Sequence, residues 1–264
     1  MEPIEVRREV LRLCKGGVEK FEDSVVTEHP LTIKINGTEF VTIVCSPDYV
    51  EDLALGFLAS EGIIRYFTDI EDLWIDEKAG VAHVKIKRTN PYYQSFQGKR
   101  YITSCCGGGR QGFVFINDAI TAKKMENVRV RVSTEECFSL MKEMQKLSTL
   151  FQKTGGVHNA ALCQNGHVFL SRMDIGRHNA LDKLFGHCLR NMIPLEDKIL
   201  AFSGRISAEI LLKASKIGCE IVMSKSAPTE LALNLAEQLG ITTIGFIRNE
   251  SLNVYTGLER VYFH

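Results

Sequence analysis

From Ile199 to Phe246 the chain alternates short apolar runs with amphipathic ones at a regular beat, and this limits the fold more than any other stretch. Ile199 to Phe202, Glu220 to Met223 and Thr242 to Phe246 read as strands. Between them, Ser207 to Ile217 and Thr229 to Leu239 read as helices, and Gly218 and Gly240 fall where a helix C-terminus takes a left-handed residue. Strands joined through single helices predict a parallel sheet covered by helices.

The flanking segments extend this unit. Ser133 or Thr134 caps a predicted helix with Glu135 and Glu136 in its first turn and apolar Phe138, Met141, Met144 and Leu147 at helical spacing. Val157 to Cys163 and Val168 to Ser171 form a predicted hairpin about Asn165-Gly166, a helix follows over Asn179 to Asn191, and a hairpin-like piece, Leu252 to Val261, closes the chain.

Nearer the N-terminus the patterns are those of a small α+β unit. The stretch to about Lys20 is polar and predicts loose order. Leu31 to Val44 predicts a tight hairpin about Asn36-Gly37, and Ser46-Pro47-Asp48 predicts the cap of a helix running through Leu53, Phe57 and Leu58 to Gly62. Trp74-Ile75 and Val81 to Ile86 read as strands, as does Phe113 to Ile116, and the basic segment Lys123 to Arg131 crosses to the second unit. We therefore divide the chain into residues 1–128, with a loop over about 87–112, and residues 129–264.

Lysine plus arginine equal aspartate plus glutamate, 32 against 32, so no global field favours nucleic acid and any anion site must be local. No apolar run spans a bilayer and Met1 to Lys20 lacks a signal core, so a cytoplasmic protein without a membrane partner is expected. The eight cysteines are then free thiols.

Three groups of residues carry candidate chemistry. In Ser104-Cys105-Cys106-Gly107-Gly108-Gly109-Arg110 a thiol sits on a glycine backbone whose N–H groups can converge, with Arg100 and Arg110 nearby. Composition leaves a reactive site and an ordinary glycine-rich surface loop equally open. Two glycine-led His-Asn segments, Gly155-Gly156-Val157-His158-Asn159 and Gly176-Arg177-His178-Asn179, place imidazoles at element ends; the plain alternative is a pair of satisfied histidines at helix starts. The predicted strand ends carry Ser203-Gly204-Arg205 with Ser207, then Ser224-Lys225-Ser226, then Phe246-Ile247-Arg248-Asn249. Ligands of open α/β sheets bind at such ends, and repeated Ser or Gly plus a cation points to an anion. No P-loop or dinucleotide fingerprint is present. A zinc deaminase is rejected because His158-Asn159-Ala160 lacks the glutamate and no Pro-Cys-x-x-Cys occurs; no metal bound by side chains is expected.

Taken jointly, Thr154 to Asn159, Asp174 to Leu181, Ser203 to Glu209, Ser224 to Thr229 and Phe246 to Tyr255 resemble the FdhD family, the sulfur carriers needed for formate dehydrogenase activity, over roughly Leu31 to Arg260. The resemblance implies a C-terminal cytidine-deaminase-like three-layer α/β domain preceded by a small α+β domain. It implies a homodimer that takes persulfide sulfur from a cysteine desulfurase and passes it to the molybdenum or tungsten bis-guanine-dinucleotide cofactor (Mo-bis(molybdopterin guanine dinucleotide)) destined for formate dehydrogenase. The family's Cys-x-x-Cys loop places the persulfide on Cys105; Gly108 stands at its second cysteine, and Cys106 is the spare thiol. The family's cofactor segment falls on Phe246, Ile247, Arg248, Asn249, Glu250 and Ser251, to which the His-Asn segments add His158, Arg177 and His178, and the strand ends Ser203, Arg205 and Lys225. The missing second cysteine keeps one alternative open, a non-catalytic chaperone that holds the cofactor without moving sulfur.

Overall fold

A computed structural model of the chain describes residues 2–87, 100–102, 122–248 and 250–263. It opens with an antiparallel hairpin, β1 (Glu5–Cys14) and β2 (Gly17–Val26), where polarity predicts loose order. The hairpin is polar because nearly all of it faces water, and cross-strand ion pairs such as Arg7–Glu22 (3.3 Å) and Lys20–Glu9 (2.7 Å) join its arms. Strand identity here rests on pairing, which burial periodicity does not report.

β3 (His29–Ile35) and β4 (Thr38–Cys45) form the predicted tight hairpin, with Asn36 at φ 49° and Gly37 at φ 85°, the two left-handed residues a type I′ turn needs. Helix α1 (Val50–Ser60) starts later than its predicted cap. Ser46 does not cap it, because its N–H and hydroxyl each lie 3.0 Å from the carboxylate of Asp174. Tyr49, at φ 52°, takes the cap position without a side-chain hydrogen bond. β5 (Ile70–Asp76) and β6 (Val81–Ile86) follow, and β7 (Arg100–Ile102) adds in parallel to β4, completing a five-stranded sheet in the order β5-β6-β3-β4-β7. The expected strand Phe113 to Ile116, and most of the 87–112 loop with Cys105 and Cys106, lie outside the described residues.

β8 (Val132–Ser133) leads into α2 (Thr134–Leu147), whose N-terminus is a reciprocal cap: Glu136 N donates to Ser133 Oγ (3.1 Å) and Ser133 N donates to Glu136 Oε2 (2.8 Å). α2 buries Cys137, Leu140, Met141 and Met144, whereas Leu147 of the predicted stripe is 46% exposed at the helix end, before the short α3 (Thr149–Thr154). The rest runs β9 (His158–Gln164), β10 (His167–Asp174), α4 (Arg177–Arg190), β11 (Ile199–Phe202), α5 (Ala208–Ile217), β12 (Ile221–Ser224), α6 (Glu230–Leu239), β13 (Thr242–Arg248), β14 (Ser251–Thr256) and β15 (Val261–Tyr262). His158 therefore opens a strand, not a helix.

The second sheet has the order β10-β9-β11-β12-β13-β14. Only β11, β12 and β13 are mutually parallel; the hairpins β9–β10 and β13–β14 make both flanks antiparallel, so the predicted parallel sheet is parallel at its centre alone. Its strands alternate between two faces. Ala161, Cys163, Ile199, Ala201, Ile221 and Met223 pack against α2. Ala160, Leu162, Leu200, Phe202 and Val222 join α4, α5 and α6 on the other face, giving three layers. That second cluster continues without a break through α1 to Leu31, Ile33 and Ile43 of the first sheet. α1 is thus buried on almost every side.

Candidate functional site

The three parallel strands end at one edge of the sheet, and β9, running the other way, begins there: Phe202 pairs with both Ser224 and Ala160. Backbone and short hydroxyl side chains stitch these ends together. Ser203 N donates to Asn159 O (2.9 Å) and Asn159 N to Ser203 Oγ (3.0 Å). Ser224 Oγ donates to Gly204 O (2.6 Å), Ser226 Oγ to Ser203 O (3.1 Å), and Phe246 N to Ser226 O (3.3 Å). The loops after β11 and β12 also pair through Ile206 N to Ala227 O (3.1 Å) and Thr229 N to Ile206 O (3.0 Å). Ser224, which ends β12, and Ser226 after it therefore hold the edge together.

Those cations come from separate elements. Arg205 follows the tight Gly204 turn and is exposed, Lys225 is half-buried, and exposed Arg248 donates from Nε to Lys225 O (3.4 Å) with its guanidinium 5.8 Å from the Phe246 ring. Phe246 is held at φ 50°, a conformation uncommon for an aromatic residue, and the residue is 37% exposed. Arg177 opens α4 and lies over Gly204, where a Cβ would stand 3.3 Å from Arg177 Cδ. Its Nε is buried without a hydrogen-bond partner among the described residues. Buried donors are rarely left so, and this one is placed where an anion could accept from it.

His158 Nδ1 is 3.4 Å from Ser203 Oγ, and His178 Nε2 is 3.1 Å from Glu209 Oε2. Burial pushes the His158 pKa below its ordinary value, and the charges of Arg177 and His178 push it further. Burial also lowers that of His178, against the opposing pull of Glu209. Both rings are held toward the neutral form.

The structure gathers His158, Arg177, His178, Ser203, Arg205, Lys225, Phe246 and Arg248 at this edge. Ile247 is different: its side chain is 1% exposed and packs into the α2 face of the sheet, so only its backbone is available. Glu250 is exposed in the turn before β14 and Ser251 is exposed as its first residue, and Asn249 lies outside the described residues, as Cys105 does. Asn159, beside His158, is a structural tie, donating to Met144 O (2.8 Å) and accepting from Ser171 Oγ (2.9 Å). No cluster of metal-ligating residues occurs among the described residues, and no helix there is long and apolar enough to cross a membrane.

Sequence reasoning missed the cluster behind this edge: Ser46 and Asp48, read as a helix cap, join buried Asp174 and Lys183 in a polar knot beneath the Gly176-Arg177 turn. One signal was available. Lys183 falls among Ala180, Leu181 and Leu184 on the apolar side of its helix, where an unpaired lysine is not tolerated.

Fold and site together define a three-layer α/β protein with a cationic rim at the carboxyl ends of its central strands. The model of the FdhD/NarQ family matches residues 26–262, and the chain belongs to that family. It is 51% identical over 259 residues to the sulfur carrier protein FdhD of Shouchella clausii, covering 98% of this chain and 97% of that one. It is 54% identical over 254 residues to the sulfur carrier protein FdhD of Bacillus subtilis, with 96% of each chain covered. A crystal structure of a candidate formate dehydrogenase accessory protein from Desulfotalea psychrophila has the same fold, with a TM-score of 0.80 at 24% identity over 98% of this chain and 100% of that one.

Proposed function

We propose that this protein is a sulfur carrier for formate dehydrogenase, that Cys105 carries the sulfur as a persulfide, and that the acceptor is a metal bis-guanine-dinucleotide cofactor bound as substrate at the cationic rim. The names of its relatives support the carrier role. The position of β7 is the observation that carries the rest. Ile102, its last residue, pairs with Ile43, and β4 runs on from there to Cys45 and Ser46, against Asp174 and the Gly176-Arg177 turn. Only three peptide units separate Ile102 from Cys105, a reach of at most about 11 Å. β7, which leads toward Cys105, and the cations thus lie at the same end of the described fold.

The chemistry follows. The Cys105 thiolate attacks the outer sulfur of a desulfurase persulfide; a new S–S bond forms at Cys105, the donor's S–S bond breaks, and the donor leaves as thiolate. Arg177, Arg205, Lys225 and Arg248 then face the pyrophosphates of the substrate, and the Phe246 ring offers a stacking surface to a base. Buried, unpaired cysteines fit a reducing compartment, and we place the protein in the cytoplasm. Incubation with a cysteine desulfurase and cysteine, followed by mass spectrometry, is expected to add one sulfur at Cys105; sulfur found only elsewhere would refute the assignment.

The neutral imidazoles predict a pH effect of definite sign. A bound polyanion favours imidazolium, so His158 and His178 take up protons on binding, and guanosine diphosphate affinity rises as pH falls from 7 toward 5.5, about tenfold for each proton fully taken up per unit. Calorimetric titration across that range checks it, and His158→Gln should flatten the slope. Folding stability moves the other way. The unfolded chain, with ordinary histidines, binds more protons in acid, so stability from these two groups is lost as pH drops below the ordinary histidine value.

A further inference from the structure

Asp174 and Lys183 are both 0% exposed by side chain, and Lys183 Nζ sits 2.8 Å from Asp174 Oδ2 and 2.8 Å from Asp48 Oδ1. Nothing in the sulfur chemistry above uses them. A buried ion pair contributes little net stability, because desolvation offsets its attraction, and apolar residues of similar volume serve as well. Stability therefore does not account for the pair, and the geometry supplies another role.

The two oxygens of Asp174 face different parts of the fold. Oδ1 accepts from Gly176 N (2.8 Å) and from Asn179 Nδ2 (2.8 Å), fixing the turn that launches Arg177 and His178. Oδ2 lies 3.0 Å from both Ser46 N and Ser46 Oγ, at the end of the strand on which β7 hangs. Asn179 adds a second tie by donating to Val44 O (2.9 Å). Lys183 balances the charge and donates to Ser46 Oγ (2.9 Å). One carboxylate thus ties the end of β4, the strand with which β7 pairs, to the base of the rim.

We propose that Asp174 is a positioning residue that sets the Arg177 turn in register with the end of β4, beside which β7 leads toward Cys105, with Lys183 as its buried counter-charge. This rests on the sulfur-transfer reading of the rim and adds a division of labour to it: the knot governs anion binding and delivery, not sulfur loading.

The test uses the full chain with Asp174→Asn and Lys183→Met combined, which removes both buried charges; Asp48 loses its lysine but is 22% exposed by side chain and keeps the Ser46 hydroxyl. Three quantities are read: thermal midpoint, desulfurase-dependent sulfur at Cys105 by mass spectrometry, and guanosine diphosphate affinity by calorimetry. A positioning role gives a near-parental midpoint, unchanged loading, and affinity weakened roughly tenfold or more, as small misplacements of binding groups do. Asn179→Ala, which cuts one tie on each side and keeps the ion pair, should weaken binding in the same direction if the double variant does not fold. Folded variants that bind guanosine diphosphate as the parent does overturn the assignment. A parent that loads sulfur but binds no guanosine diphosphate overturns the reading of the rim first, and this assignment with it.

Discussion

Cys105→Ala is expected to leave the protein without transferable sulfur and to reduce formate dehydrogenase maturation at least ~100-fold, the scale seen when a covalent nucleophile is removed. The reason lies in the other thiols. Cys137, Cys163 and Cys188 are buried, and burial pushes each of their pKa values up to about 12. Cys45 and Cys219 are also buried and driven upward by desolvation. A thiol so protonated is a poor nucleophile and cannot stand in. Cys14 is exposed but sits at the end of β1 that points along the solvent-facing hairpin, not at the rim. Cys106→Ala is the informative control. If Cys105 acts alone, it retains sulfur loading and maturation; loss in both variants would mean that the adjacent thiols work as a pair. A Cys105→Ala protein that matures formate dehydrogenase as the parent does would favour a chaperone that moves no sulfur.

Gly56→Ala should destabilise the fold by about 3–5 kcal/mol, the upper end of overpacking effects. α1 and α4 cross with their backbones in direct contact: a Cβ on Gly56 would stand 1.8 Å from Asp182 O, and one on Gly186 1.8 Å from Asp52 O. The obstacle is backbone, so no rotamer change relieves it; the helices must separate. Separation would also strain the buried groups that flank the crossing, where Asp182 accepts from Ser60 Oγ and Lys213 Nζ at 2.6 Å each and Arg172 pairs with Asp52 at 3.3 Å. For a chain of this size the loss corresponds to a midpoint about 10 °C lower. Calorimetric melting of Gly56→Ala and Gly186→Ala checks it, and a drop of only a degree or two in both would show that the helices part freely. An exposed glycine such as Gly155, with nothing within 4 Å of a Cβ but at φ 65°, makes a useful contrast, because only backbone strain acts there.

What could be read in advance follows a physical divide. Asn36-Gly37, the Ser133–Glu136 cap and the helix stops at Gly218 and Gly240 are local events, decided by residues within one turn of each other. The strand ends bearing Ser203, Lys225 and Arg248 followed from the same short-range periodicity, so much of the candidate rim was visible as a pattern. Ile247 shows the limit of that pattern: it stands among candidate ligands in sequence, yet strand alternation turns it into the core. Ser46 was legible as a helix cap and is instead a partner of Asp174, because a residue distant in the chain supplies a better acceptor for its N–H than the next turn supplies a donor for its hydroxyl. The β1–β2 hairpin was missed for the converse reason, since paired polar strands without a buried face leave no apolar alternation.

The sequence by itself determined most of the described elements from β3 onward, their order and the recurrence of a cation after each central strand, since these depend on neighbours in the chain. Only the tertiary structure decided that β9 begins where β11, β12 and β13 end, that β7 hangs beside Ser46, and that Asp174 and Lys183 meet beneath both. Those contacts join residues far apart in sequence, and their energies depend on desolvation and close packing, which exist only once the chain has folded.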